Sequence, residues 1–306
     1  MPHRTFLHGL STVLGEAKTL SELAPTGKDR EISFLESLGI QGYLAYPGTV
    51  PDLYDACIGA VLQASGWDPV AIDCVLFTTC GFFLSEQRMR YEDFDKVLYR
   101  HGIRSGYSMG TNMSHCGNIA QALRIARAFV ASGEMANVMV VNFDKVDSDH
   151  NRFMTANEAL LSDGAAGFIV SRERSPLELT GIANHADRGY LDPGTDKLGL
   201  TQKNIAGARR THQLLLESRR GRSDFHQVVL PNYNGMVLNL FRGQLGIPKD
   251  RLFQAWHRDR GHAFSTDLIV NCQELIGAAP RGRKLEIMCL GFGLFRWGAF
   301  SLVLRT

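Results

Sequence analysis

The sequence predicts an α/β protein built from two similar halves. Short runs rich in β-branched and aromatic residues alternate with longer helical patterns. The runs VLFTT, NVMVV, FIV, QVVL, EIMCL and SLVL lack strict polar alternation, as expected of strands covered on both faces. Their order also recurs, which is the signature of an internal repeat.

In the first half the apolar run Ala71 to Thr79 (AIDCVLFTT) leads into a loop. A helical stretch follows from Cys116 (CGNIAQALRIARAFVASG), with Ala120, Leu123, Ala126 and Phe129 largely on one face. Then come the apolar run NVMVVNF and the Gly-led run DGAAGFIVSRE. The second half repeats this as HQVVLPNYNG, a helical stretch from His262 (HAFSTDLIVNCQELIG), LEIMCLGFG and WGAFSLVLRT. The seam falls near Arg174 to Pro176, dividing the chain into residues 1–174, which carry Cys116, and 175–306, which carry Asn232 and His262. Gln202 to Ser223 contains ARRTHQLLLESRRGRS, which reads as a solvated surface helix and loop, or as a face for an acidic carrier protein.

Composition narrows the function classes. With 306 residues, 44% hydrophobic and 21% charged, the chain can bury a large core, which excludes a disordered tail or a coiled coil. Thirty-three Lys plus Arg against thirty-one Asp plus Glu leave a formal charge of +2, too little to hold nucleic acid or a membrane surface. The cysteines at 57, 74, 80, 116, 272 and 289 form neither Cys-x-x-Cys pairs nor His-spaced clusters. They therefore predict free thiols in a reducing cytoplasm, without a disulfide framework, a zinc site or any bound cofactor. No apolar run reaches the roughly 18 residues that a membrane span needs, and the start MPHRTFLHGLSTVLGE is unlike a secretory signal.

The chemistry concentrates where strands end and helices begin. Cys116 stands between a polar loop and a helix, where the positive end of the macrodipole and unpaired backbone N–H groups favour a thiolate. A small buried packing cysteine is the plainer reading of the same position. In the second half, Asn232 follows the strand QVVL, and His262 opens the equivalent helix. A two-fold repeat brings these three side chains together, although singly His262 reads as a capping histidine and Asn232 as a turn residue. Gly106-Tyr107-Ser108-Met109-Gly110 matches the Gly-x-Ser-x-Gly elbow of hydrolases. That motif needs a strand directly before the serine and a helix directly after it, and neither VLYRHGIRS nor TNMSH supplies one.

Six stretches, in order, resemble the thiolase superfamily, most closely its β-ketoacyl-acyl-carrier-protein synthase III branch. They are ESLGIQGY at residues 36–43, the Cys116 motif with Ala122-Leu123 two turns into its helix, Asp163 to Gly167, LPNYNG, RGHAFST and GFGLFRWGA. The resemblance implies a five-layered αβαβα fold, a homodimer and an acyl-enzyme on Cys116. Synthase III enzymes usually have Pro-His at the first second-half site and Gly-Asn at the next; here they are Pro231-Asn232 and Gly261-His262. Asn before His is the order of thiolases, but Asn232-Tyr233-Asn234-Gly235 and His262-Ala263 are not the usual thiolase motifs. Cys289-Leu290-Gly291 has the form of the thiolase base motif, although Cys289 reads better as a strand cysteine. ISFLES lacks the Trp and Arg with which synthase III enzymes commonly hold the coenzyme A adenine.

The implied activity is acyl transfer. Cys116 takes an acyl group from a thioester of acyl-carrier protein or coenzyme A, with the backbone N–H groups of Cys116, Gly291 and Gly293 as the oxyanion hole. His262, assisted by Asn232, then passes it to a small-molecule acceptor, in a specialised natural-product pathway rather than in fatty-acid initiation. Two alternatives stand beside this: decarboxylative Claisen condensation to a β-ketoacyl product, and a catalytically idle partner subunit of a related enzyme.

Overall fold

The computed structural model describes residues 4–80, 90–154, 159–192, 196–219, 225–253, 258–280, 282–293 and 295–305. Residues 220–223 of the Arg-rich stretch and Leu294 of the terminal Gly-rich run lie outside them.

The first half contributes strands β1 (Thr5–Leu14), β4 (Cys74–Thr78), β5 (Tyr107–Thr111), β6 (Asn137–Asp144) and β7 (Gly164–Ser171). The second contributes β8 (Leu177–Ala186), β9 (Gln227–Val229), β10 (Leu252–Phe253), β11 (Lys284–Gly293) and β12 (Arg296–Arg305). Spatial order is β1-β7-β6-β4-β5 in one and β8-β12-β11-β9-β10 in the other. Strand directions match too. The first two neighbour pairs of each row are antiparallel and the last two parallel. The rows join where β1 pairs antiparallel with β8, Thr5 opposite Leu179. A separate hairpin-like pair, β2 (Glu16–Thr19) with β3 (Gly42–Ala45), lies outside this sheet.

Five layers result, as the resemblance to the thiolase superfamily implies. Helices α4 (Asn118–Ser132) and α7 (Thr266–Gly277) each touch strands of both halves and so form the middle layer. Helix α2 (Val50–Ser65) packs chiefly on β1, β6 and β7, and α5 (Lys197–Ser218) on β8, β11 and β12, forming the two outer layers. The remaining helices are α1 (Asp29–Ser37), α3 (Tyr91–Arg100) and α6 (Gly235–Gln244).

This layering explains the missing polar alternation. Successive strand residues point to opposite faces, so Val138 and Val140 of β6 enter the middle core while Met139 and Val141 enter the core under α2. In β11, Ile287 and Cys289 face the middle layer, and Met288 and Leu290 face the core under α5. Both faces are apolar because both are covered.

Four strands of the large sheet, and the separate pair β2 and β3, escape the sequence reading. Strand β5 is a half-exposed edge, β10 is two residues long, and β1 and β8 meet at the seam with mixed burial. Residues 107–111 are thus an edge strand rather than a loop, with Ser108 inside it. No helix follows that serine directly, so the hydrolase elbow is not formed.

Candidate active site

The site lies at the carboxyl ends of the parallel strands, where open α/β sheets usually hold their ligands. Cys80 follows β4 by two residues, Asp144 ends β6, Asn232 follows β9, and Gly293 ends β11. The middle helices α4 and α7 begin at the same place.

Before each helix one non-glycine residue adopts left-handed backbone: His115 (φ 45°) ahead of Cys116, and Phe264 (φ 53°) ahead of Ser265. Three residues beyond each lies a side chain that closes the turn. Asn118 Oδ1 accepts from Ser114 N at 2.9 Å, and Asp267 Oδ1 accepts from Ala263 N at 2.9 Å. The two helix starts are copies of one local structure, in which Ser265 is the counterpart of Cys116. His262 lies three residues upstream of that counterpart, so Cys116 and His262 share the site without occupying corresponding positions.

His262 is fixed by its backbone and by its ring. Its N–H donates to Leu160 O at 2.7 Å, and its carbonyl accepts from Ser162 N at 2.9 Å, forming a short parallel bridge. Gly261 makes this approach possible. Its φ is +58°, and a Cβ there would meet Leu160 O at 2.5 Å and Ser162 Oγ at 2.6 Å. The ring packs between Tyr233 and Phe264, with centroids 4.8 and 5.8 Å away.

Cys116 Sγ lies 3.6 Å from His262 Nε2, and His262 Nδ1 lies 2.5 Å from Asp267 Oδ2. All three groups are buried, with Cys116 7% exposed and His262 and Asp267 1%. The Asp267 carboxylate also accepts from Asn232 N at 2.8 Å and from Asn232 Nδ2 at 3.3 Å. Its place in the first turn of α7 sets it at the positive end of the helix dipole. Burial alone pulls His262 toward its neutral form, but the charge and hydrogen bond of Asp267, with a smaller contribution from Cys116, raise it to about 10. The thiol of Cys116 is held down to about 6, first by a hydrogen bond from Cys80 and, against burial, by the bond and charge of His262. Both shifts favour the thiolate-imidazolium form of the pair, whose sulfur lies in a buried cluster with Val146, Leu161 and Phe264.

The predicted residues fall into three groups. Cys116 and His262 meet directly. Asn232 is not the partner of His262: its amide donates to Asp267 and accepts from Asn271 Nδ2 at 3.1 Å, one step behind the imidazole. Gly293 lies beside the sulfur, since a Cβ there would be 3.4 Å from Cys116 Sγ, while Gly291 lets β11 pass behind the Cys116 carbonyl, which its Cβ would strike at 2.2 Å. Cys289 sits in the middle core with its Sγ 3.2 Å from that of Cys272, and burial pushes its thiol up. Asp267 was missed by sequence reasoning. Its signal was an acid in the first helical turn, five residues after His262. Among the described residues, no three His, Cys, Asp or Glu side chains are placed to hold a metal ion, and no helix is long and apolar enough to cross a membrane.

The chain is similar to known proteins in sequence and in fold. Residues 112–187 match the family 3-oxoacyl-(acyl-carrier-protein) synthase III. A β-ketoacyl-acyl-carrier-protein synthase III of Aquifex aeolicus is 24% identical over 61% of this chain and 64% of its own length. One from Staphylococcus saprophyticus is 24% identical over 81% of both chains. The solved structure of ChlB3, named as an acyltransferase, superposes with a TM-score of 0.82 at 16% identity, covering 99% of this chain and 98% of that one. The chain thus has the fold of that solved structure and, over residues 112–187, is similar to the synthase III family.

Proposed function

We propose that the chain transfers an acyl group from a carrier-protein or coenzyme A thioester, through Cys116, to a hydroxyl or amine of a small molecule. In the first half-reaction the Cys116 thiolate attacks the thioester carbonyl, and the backbone N–H groups of Cys116 and the Gly291–Gly293 segment receive the oxyanion. Collapse breaks the donor's C–S bond, and the departing sulfur takes the proton from His262 Nε2. The imidazole is then neutral and faces the new thioester. In the second half-reaction Nε2 removes the acceptor's proton as its oxygen or nitrogen attacks, and Cys116 leaves as the thiolate beside a reprotonated His262. Asp267 holds Nδ1–H throughout and stabilises the imidazolium.

One observation carries this reading over decarboxylative condensation. An enolate formed by loss of carbon dioxide needs two donors aimed at its oxygen, whereas the Asn232 amide is engaged with Asp267 and Asn271, one step behind the imidazole, and it is His262 Nε2 that lies against the Cys116 sulfur. The buried thiolate-imidazolium pair likewise argues against an idle subunit. The exchange of His and Asn relative to the synthase III pattern, with the likeness to an acyltransferase by name, supports a specialised acceptor outside fatty-acid initiation. The free cysteines fit a reducing cytoplasm, and the exposed edge strand β5 fits pairing with a second copy.

Intact-mass measurement across a panel of acyl-carrier-protein and acyl-coenzyme A thioesters tests the proposal. A stoichiometric acyl increment is expected in the wild type and none in Cys116→Ala. Release of carbon dioxide from a malonyl thioester, with formation of a β-ketoacyl product, would overturn it in favour of condensation.

A further inference from the structure

Ser265, the counterpart of Cys116 at the second helix start, is fully buried and uses its hydroxyl in an unusual direction. A serine directly before a helix ordinarily caps that helix. Ser265 precedes α7 but makes no side-chain bond to it. Instead Oγ reaches across the site and donates to His115 O at 3.2 Å, with Cys80 Sγ 3.5 Å away. His115 is the left-handed residue, φ 45°, directly before the nucleophile, and its carbonyl also accepts from Asn118 N as α4 begins. That carbonyl and the Cys116 N–H belong to one planar trans peptide, in which they point in opposite directions. Fixing the oxygen therefore fixes where the N–H points. Among the described residues nothing accepts from the Cys116 N–H. Gly293, which faces it, has no side chain to cover it: a Cβ there would lie 3.6 Å from Cys116 N and 3.4 Å from its sulfur.

We propose that Ser265 is a positioning residue for the oxyanion hole, its hydroxyl holding the His115–Cys116 peptide so that the N–H faces the oxygen of an acyl group under attack. The inference deepens the proposed acyl transfer and rests on Cys116 as its nucleophile. Ser265 touches no reacting atom and acts only through the peptide. Two donors on the His115 carbonyl also polarise that peptide, which strengthens the N–H on its far side as a donor. Left-handed backbone is strained for a residue with a side chain, so His115 needs the surrounding structure to hold it. The bond from Ser265 supplies part of that hold from the other half of the chain, and it ties the two duplicated helix starts together.

The test compares two reagents on Cys116 in wild type, Ser265→Ala and Ser265→Cys, each rate being read on the Cys116 peptide by mass spectrometry. Acetylation by p-nitrophenyl acetate forms a bond from Sγ to the carbonyl carbon through a tetrahedral oxyanion, and p-nitrophenolate leaves with the electrons of the broken C–O bond. Alkylation by iodoacetamide displaces iodide at a saturated carbon and builds no charge on oxygen. Ser265→Ala should slow acetylation about tenfold, less than outright loss of an oxyanion donor, and leave alkylation at the wild-type rate. Ser265→Cys keeps a weaker donor of similar size and should fall between. The proposal is overturned if both reagents slow by the same factor, which would mean that the thiolate itself has moved or lost ionisation, or if neither slows. Should Ser265→Ala fail to fold, Ser265→Cys decides: a reduced ratio of acetylation to alkylation supports the proposal and a wild-type ratio overturns it. Neither reagent is a biological donor. A wild type that reacts with both yet takes no acyl group from the thioester panel would sink the acyl-transfer reading while leaving the Ser265 result to stand.

Discussion

The start of α4 and the start of α7 are one local structure used twice. Each has a left-handed residue, then a small nucleophile-type side chain, then a polar residue that closes the turn onto the backbone four positions earlier. The chemistry differs at that last position. Asn118 is neutral, and its remaining amide group donates to Thr79 O at 2.9 Å and to Cys80. Asp267 is charged, and its second oxygen takes His262. The duplicated turn supplies geometry, and in the proposed mechanism the change from amide to carboxylate, with Cys116 in one turn and Ser265 in the other, separates the nucleophile's half from the base's.

Making the two turns alike is the severest way to break that division. Asp267→Asn keeps an oxygen for the Ala263 N–H but removes the charge that holds the His262 proton. It also lets an amide donate to Nδ1, which would force the neutral ring to carry its proton on Nε2, the wrong side for a base. Acyl transfer should fall by about a hundredfold to ten-thousandfold, the usual worth of a general base. The fold should survive with a lowered melting temperature, because the turn bond is preserved while Asn232 N loses its acceptor. Steady-state transfer and thermal melting, measured together, check this; a variant with near wild-type turnover would show that Asp267 only shapes the turn.

That residue also marks where sequence reasoning stops. The repeated order of β4, α4, β6 and β7 with β9, α7, β11 and β12 was legible because buried strands and an amphipathic helix leave long apolar patterns. The edge strand Tyr107–Thr111 and the seam strand Thr5–Leu14 were not, since partial exposure mixes their residue types. Cys116 and His262 were legible as strand-end and helix-start residues. Asp267 reads locally as a favourable first-turn acid, and only the left-handed Phe264 turns its carboxylate back onto His262. Cys80 reads as one more free thiol, because its place beside Cys116 depends on β4 and α4 meeting in space.

The paired charges also set a pH window that sharpens the contrast between the two sites. Cys116 is held down to about 6, so self-acylation should drop about tenfold per pH unit below that value as the thiolate is protonated. His262 is held up to about 10, so its proton for the leaving sulfur is lost only as pH rises through that value. A plateau between these limits is expected in a pre-steady-state acylation profile. In Asp267→Asn the upper limb should move toward neutrality, because the charge that raised His262 is gone. An upper limb that stays in place would assign the raised proton affinity to some other group.

The smallest effect expected is that of Asn232→Ala. Asn232 supplies two hydrogen bonds to Asp267, one from its backbone and one from its amide, and only the amide is lost on truncation. Asp267 then keeps the Asn232 and Ala263 backbone donors and its contact with His262. The change removes one hydrogen bond to a charged group, worth about 1.5–3 kcal/mol, and the one accepted from Asn271 Nδ2, and part of that loss falls on stability rather than on the reaction. Transfer should therefore fall about tenfold, well short of the loss in His262→Ala, which removes the proton-accepting group itself. Self-acylation should change less than transfer, because Cys116 and His262 still meet. If Asn232→Ala instead matches His262→Ala in transfer while acylating normally, Asn232 is touching the acceptor, and the contrast drawn between a working imidazole and a supporting amide would have to be abandoned.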